Sequence, residues 1–517
     1  PPPSGEIWQK GIYPAASTFS DRCETVRTGV DSEGDAFPDK QGTLLSEKFW
    51  LRSWTNETYL WNTEVADTDP NLTPARTDYF DKLRTFAKTS SGKDKDNFHF
   101  SITTEEYLKQ RNATASARPA YGEAGYGARF VILAATPPRD IRVAFTEPNS
   151  PASELENGKP RLVRGAKIIK INGIDAIYGG ATDAEIDALN AALYPTATGV
   201  STTLVVREPG AVVDRTITIT SADVATKPVN QTKVISTATG KVGYILFNTF
   251  SPYASELEIK NAVDAMKTAG INDLVLDLRY NGGGLLTVAS QLSYMIAGAS
   301  QTSGKIFEAS KFNAAAGNKN PITGAINTPS PFQTTGVGFS VPDGQALPTL
   351  NLKRVFILAT GSTCSASESV INGLRGIDVE VVLIGGTTCG KPYGFYPTSN
   401  CGLTYFSIQF QGVNHKGFGD YADGFAPANS TAAYPTKITG CAVADDFSKG
   451  LGDQTEGLFA AALRYRNTAT CPTPSSNASA VSKSVFTSTT SSIKGRALSQ
   501  PAPRIYDINR DMTRGGR

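Results

Sequence analysis

Between residues 229 and 445, strand-like apolar runs alternate with helical ones. "KVGYILFNTF", "ASELEIKNAVDAMKTAG", "DLVLDLRYNGGG" and "LLTVASQLSYMIAG" follow one another. The alternation resumes with "RVFILAT", "SASESVINGLRG" and "VEVVLIGG" after a Gly/Pro-rich insertion near 310–348. Strands alternating with helical stretches predict one α/β unit here.

At 517 residues the chain exceeds what one core organises, and its texture changes along its length. Residues 1–40 are Pro-, Gly-, Ser- and Asp-rich and read as a surface arm. Residues 41–115 space apolar positions at three and four, as in "LLSEKFWLRSWTNETYLW", and predict a small helical domain whose aromatics form its core. Residues 116–228 carry short β-rich runs and one helical stretch, "DAEIDALNAAL". The α/β unit is assigned 229–466, and 467–517 reads as a low-complexity tail. The predicted class is therefore α/β within an α+β multidomain chain.

Fifty Lys+Arg against 48 Asp+Glu leave a net charge of +2, and no long basic block points to nucleic acid. No apolar run reaches the length needed to cross a bilayer, so no transmembrane segment is expected. The opening "PPPSGEIWQK" has neither Met nor an apolar leader, and removal of a targeting segment is expected. Six scattered cysteines fit disulfides in the periplasm or exterior, free buried thiols being the alternative; anchoring through a part outside this chain stays open. With two histidines and no HExxH, no metal or cofactor is expected.

Three segments of the α/β unit carry groups suited to amide or ester hydrolysis. In "TCSASE", Ser365 and Ser367 stand where a strand gives way to a helix, a place for an exposed hydroxyl or for a plain N-cap. In "GGTTCGK", Lys391 follows a buried-looking strand, where desolvation favours a neutral amine able to accept a serine proton; a solvated surface lysine is the other reading. In "LDLRYNGGG", glycines let a carbonyl approach backbone N–H groups, and the run lacks the phosphate-loop patterns.

In this order, behind a β-rich module, the segments resemble the S41 family of serine peptidases, the C-terminal processing proteases, over roughly residues 45–445. The resemblance implies a crotonase-like α/β core with an inserted or preceding PDZ-like domain. It implies a serine endopeptidase that takes a peptide or protein substrate, extended or unfolded, and cleaves it near its C-terminus through an acyl-enzyme. Residue by residue, it implies Ser365 as nucleophile, Lys391 as general base, and the N–H groups of Ala366 and Gly283 as oxyanion donors. Many relatives carry a Gln four residues beyond the lysine, where this chain has Phe395. Glu368 is the nearest candidate for the third catalytic role, and capping the helix is its other reading. Asp420, Asp423 and His415, in "NHKGFGDYADGFAP", are weaker candidates.

"RGAKIIKINGIDA" and "YGEAGYGARFVI" resemble PDZ segments, and the second implies peptide binding by Gly125, Tyr126 and Gly127; an ordinary hairpin loop is the alternative. If nucleophile and base touch, Cys364 and Cys389 are expected to pair, leaving Cys401–Cys441 and Cys23–Cys471. A non-catalytic S41-fold ligand-binding protein and a Ser-Lys hydrolase of a non-peptide ester or amide are the competing readings.

Overall fold

A computed structural model describes residues 6–111 and 122–473. The α/β unit is built on a six-stranded sheet in the order Val229–Thr237, Gly240–Phe247, Asp273–Asp277, Arg354–Ala359, Glu380–Gly385, Gly440–Ala442. The first pair is antiparallel and the rest are parallel. Asp273–Asp277 is buried along its whole length, as expected of a strand covered on both faces.

Alternate side chains point to opposite cores. Ile245, Leu276, Ile357 and Leu383 meet the helices Ala254–Ala269, Leu286–Ala297 and Ala366–Gly376. Tyr244, Val275, Phe356 and Val382 meet the helix Gly457–Thr468.

This topology places the three sequence segments together. Asp273–Asp277, Arg354–Ala359 and Glu380–Gly385 are side by side, with Val275 opposite Phe356 and Phe356 opposite Val382. The chain leaves their carboxyl ends into "RYNGGG", "TGSTCS" and "GTTCGK" respectively, and the carboxyl edge of such a sheet is where sites form.

Residues 122–225 include a separate sheet ordered Arg215–Thr220, Ser201–Arg207, Lys167–Ile171, Asp140–Thr146, Ala128–Ala134, with the helix Asp183–Leu193 and a core of its own. Asn172 and Gly173, both at positive φ, turn Lys167–Ile171 into Ile174–Asp175, as an Asn-Gly hairpin requires. The N-terminal unit packs the helix Leu44–Thr58 among aromatics, and Ala16 and Phe19 of the expected arm join that cluster. The expected low-complexity tail lies outside the described residues from 474 onward.

Cys364 is bonded to Cys389 as expected, while the other two pairings differ from expectation: Cys23 joins Cys401 and Cys441 joins Cys471. The N-terminal segment lies against the Asn400–Cys401 turn, where Asp21 N donates to Asn400 Oδ1 at 2.9 Å. Cys441 sits in the last strand beneath the helix Gly457–Thr468, whose end returns Cys471 to it. No helix among the described residues is long and apolar enough to cross a membrane.

Candidate active site

Ser365 caps the helix Ala366–Gly376 at φ 57, ψ −116, a left-handed elbow that only a well-determined surrounding holds for a non-glycine residue. It is fully buried, and its Oγ has no hydrogen-bond partner among the described residues. Glu368, one turn along the helix, accepts the Ser365 N–H through Oε2 at 3.1 Å. That is half of a capping box, and it leaves the hydroxyl unengaged.

The same carboxylate reaches the base segment. Glu368 Oε2 accepts Lys391 N–H at 2.8 Å, and Oε1 accepts Gly390 N–H at 2.8 Å and the Thr388 hydroxyl at 2.5 Å. Burial pushes the Glu368 carboxyl above the usual carboxylate range, and the four donors partly offset this. The Cys364–Cys389 disulfide, with Cα atoms 5.2 Å apart, ties the residue before Ser365 to the residue two before Lys391. The Ser365 and Lys391 turns are thus joined twice, by a covalent bond and by a shared carboxylate.

Lys391 is fully buried, its Nζ 4.5 Å from the Phe395 ring centroid and 4.6 Å from that of Phe98. Phe98 belongs to the N-terminal unit, and nothing local in the sequence marks it. Its segment is held locally, where Phe98 N donates to Asp96 Oδ1 at 2.9 Å, and docked at its hairpin tip, where the Thr89 and Ser91 hydroxyls donate to Asp423. Asp423 therefore serves as an anchor for this covering hairpin. His415 is exposed, accepting from Ile306 N through Nδ1, and Asp420 is exposed as well.

Gly283 lies against Ser365. A Cβ there would stand 2.7 Å from Ser365 Cβ and 3.0 Å from Ala366 N, and φ is +111. Its N–H donates to Asn281 Oδ1 at 2.9 Å, while Asn281 O accepts from Cys364 N and from the Ser367 hydroxyl. Ser367 is thus a structural residue that ties the glycine loop to the helix.

The preceding residue pair is held by buried charge. Arg279 contacts Asp277, Asp445 and Glu456; burial alone would lower its pKa, and the three acids hold it well above its ordinary value. Arg164 of the inserted β-rich unit reaches Tyr280 at 2.7 Å and Asp445 at 2.6 Å.

Gly125, Tyr126 and Gly127 are not brought to Ser365. Gly125 pairs with Ala222 in a two-stranded ladder, the Tyr126 hydroxyl lies 2.8 Å from Ala192 O in the inserted unit's core, and Gly127 O accepts from Glu147 N. The neighbouring strand Ala128–Ala134 ends the sheet order, with no described strand on its outer edge.

Residues 241–395, which hold all three segments, match Peptidase family S41. A carboxyl-terminal-processing protease from Picosynechococcus sp. (strain ATCC 27264 / PCC 7002 / PR-6) is 26% identical over 226 residues, 44% of this chain; the chain spans only 45% of that relative's length. The crystal structure of a candidate S41 protease from Bacteroides fragilis NCTC 9343 shares the fold at a TM-score of 0.58 and 23% identity, over 81% of this chain and 97% of that one. A more distant likeness, with a TM-score of 0.41 and 16% identity over 76% and 93% of the two chains, is to a photosystem II D1 C-terminal processing protease.

Proposed function

We propose that this chain, whose residues 241–395 form a peptidase family S41 domain, is a serine endopeptidase that hydrolyses extended or unfolded polypeptides near their C-termini through a Ser365–Lys391 dyad. The observation that carries the reading is the double tie between the two turns, the Cys364–Cys389 disulfide and the Glu368 carboxylate, which supports a fixed nucleophile–base pair.

The resting state leaves Ser365 Oγ without a hydrogen bond, so catalysis requires the Lys391 amine to move onto it when substrate docks. A neutral Lys391 then takes the Oγ proton as Oγ attacks the scissile carbonyl carbon. The oxyanion accepts from Ala366 N–H and from Gly283 N–H, which exchanges Asn281 Oδ1 for it. Lys391 returns the proton to the departing amine, and water releases the acyl group. Glu368 acts on this pair through the backbone.

The β-rich unit is read as PDZ-like, offering the outer edge of Ala128–Ala134 to a peptide strand. Three disulfides fit an oxidising compartment, the periplasm or exterior. A non-catalytic ligand-binding role is the second reading, favoured by the complete burial of both Ser365 and Lys391. Incubation with an unfolded protein separates them: fragments from the wild type and none from Ser365→Ala support the peptidase, and intact substrate with both supports the binding role.

A further inference from the structure

Phe395 stands where the resemblance leads one to expect a Gln, and the Lys391 amine meets two aromatic faces, at 4.5 Å and 4.6 Å. One, Phe395, is local. The other, Phe98, arrives from the N-terminal unit, where a core role for it would need no contact with the base. We propose that Phe98 is a positioning residue: with Phe395 it forms an aromatic seat that keeps water from the resting Lys391 amine until substrate docking moves it onto Ser365 Oγ, so that the N-terminal unit completes the active site. This rests on the Ser365–Lys391 reading above.

The seat is built rather than incidental. Asp96 fixes the Phe98 backbone through Oδ1 and is itself fixed by the Tyr59 hydroxyl at 2.6 Å and by Arg84, which donates to Asp96 O at 2.7 Å. The hairpin before it is closed by Lys95 N donating to Ala87 O at 2.9 Å, and its tip is held by Asp423. Asp423 follows Ala422, whose carbonyl oxygen would stand 2.1 Å from a Cβ at Gly390, so the covering hairpin and the base turn share one anchor segment.

Ring faces attract an ammonium, whereas loss of its hydration disfavours it, and at this fully buried amine the second effect is taken as the larger. The acids on the packed elements are each engaged: Glu368 with four donors, Asp96 with Tyr59 and Phe98, Asp423 with Thr89 and Ser91. Loss of the Phe98 ring admits water, favours the ammonium and lowers the fraction of amine ready to accept a proton.

The test is the rate of Ser365 labelling by a fluorophosphonate against pH, on the full chain, with thermal melting to confirm folding. Phe98→Ala is expected to slow labelling at pH 7 about tenfold and to move the acidic limb up by about one pH unit, while Phe98→Tyr keeps both near wild type. Thr89→Ala/Ser91→Ala, which loosens the same segment at positions outside the core, moves the limb in the same direction. A uniform loss in Phe98→Ala with the limb unmoved would mean a merely structural role and overturn the proposal. So would an unmoved limb in the Thr89/Ser91 variant should Phe98→Ala fail to fold. A wild type that does not label, or that labels as slowly as Lys391→Ala, sinks the Ser-Lys reading itself.

Discussion

Glu368 accepts the backbone N–H of Lys391 at 2.8 Å through the same oxygen that accepts the Ser365 N–H at 3.1 Å. One buried carboxylate oxygen thereby ties the Ser365 turn to the Lys391 turn through main-chain N–H groups.

Glu368→Gln puts an NH2 group against at least one pair of buried donors. A loss of about 2 kcal/mol in stability is expected, together with more than about tenfold slower Ser365 labelling at every pH. Because the carboxylate acts through the backbone, the pH limb stays in place. Denaturant titration and the labelling profile check both parts.

Cys364→Ser/Cys389→Ser removes the covalent tie across a sequence separation of 25 residues. The loop-entropy account gives a cost of about 3 kcal/mol. Thermal and chemical unfolding measure it, and labelling of Ser365 is expected to fall even under conditions where the variant is folded.

Gly283→Ala meets two obstacles, a φ of +111 and a Cβ 2.7 Å from that of Ser365. Strain of about 2 kcal/mol and loss of labelling by about a hundredfold are expected, since the oxyanion loop must shift to make room. Rates near wild type would place the glycine outside the reacting geometry.

His99 is buried, stacked on Phe80 at 3.8 Å, with Nε2 2.9 Å from Phe80 O, and burial pushes its pKa down to about 4 although Asp96 opposes the shift. Between about pH 6.5 and 4 the unfolded chain takes up a proton that the folded chain refuses. Stability therefore falls as pH is lowered through that window, by roughly 3 kcal/mol in all, with no further loss from this group below it. Unfolding free energies of wild type and His99→Gln across pH 4–7 test this, the variant being expected to show a flatter dependence.

The reacting segments were legible because each follows a local apolar run, and a parallel sheet gathers the carboxyl ends of neighbouring strands whatever their separation in sequence. Of the two sequence readings of Glu368, the capping one is visible in its contact with Ser365 N–H, and the same oxygen also accepts Lys391 N–H. Phe98 was illegible because its contact with Lys391 depends on how one unit docks on another, and the rings of "DNFHF" carry no period that says so. The Cys23–Cys401 and Cys441–Cys471 pairings were hidden for the same reason: chain distance does not tell which segments a fold lays side by side.

The central claim is that Ser365 is a nucleophile activated by Lys391. Its most direct measurement is mass-spectrometric mapping of the residue modified by a fluorophosphonate in wild type, Ser365→Ala and Lys391→Ala. The account predicts a single adduct on Ser365 in the wild type, none in Ser365→Ala, and labelling slowed by at least about a hundredfold in Lys391→Ala. An adduct elsewhere, or equal labelling with and without Lys391, would contradict it.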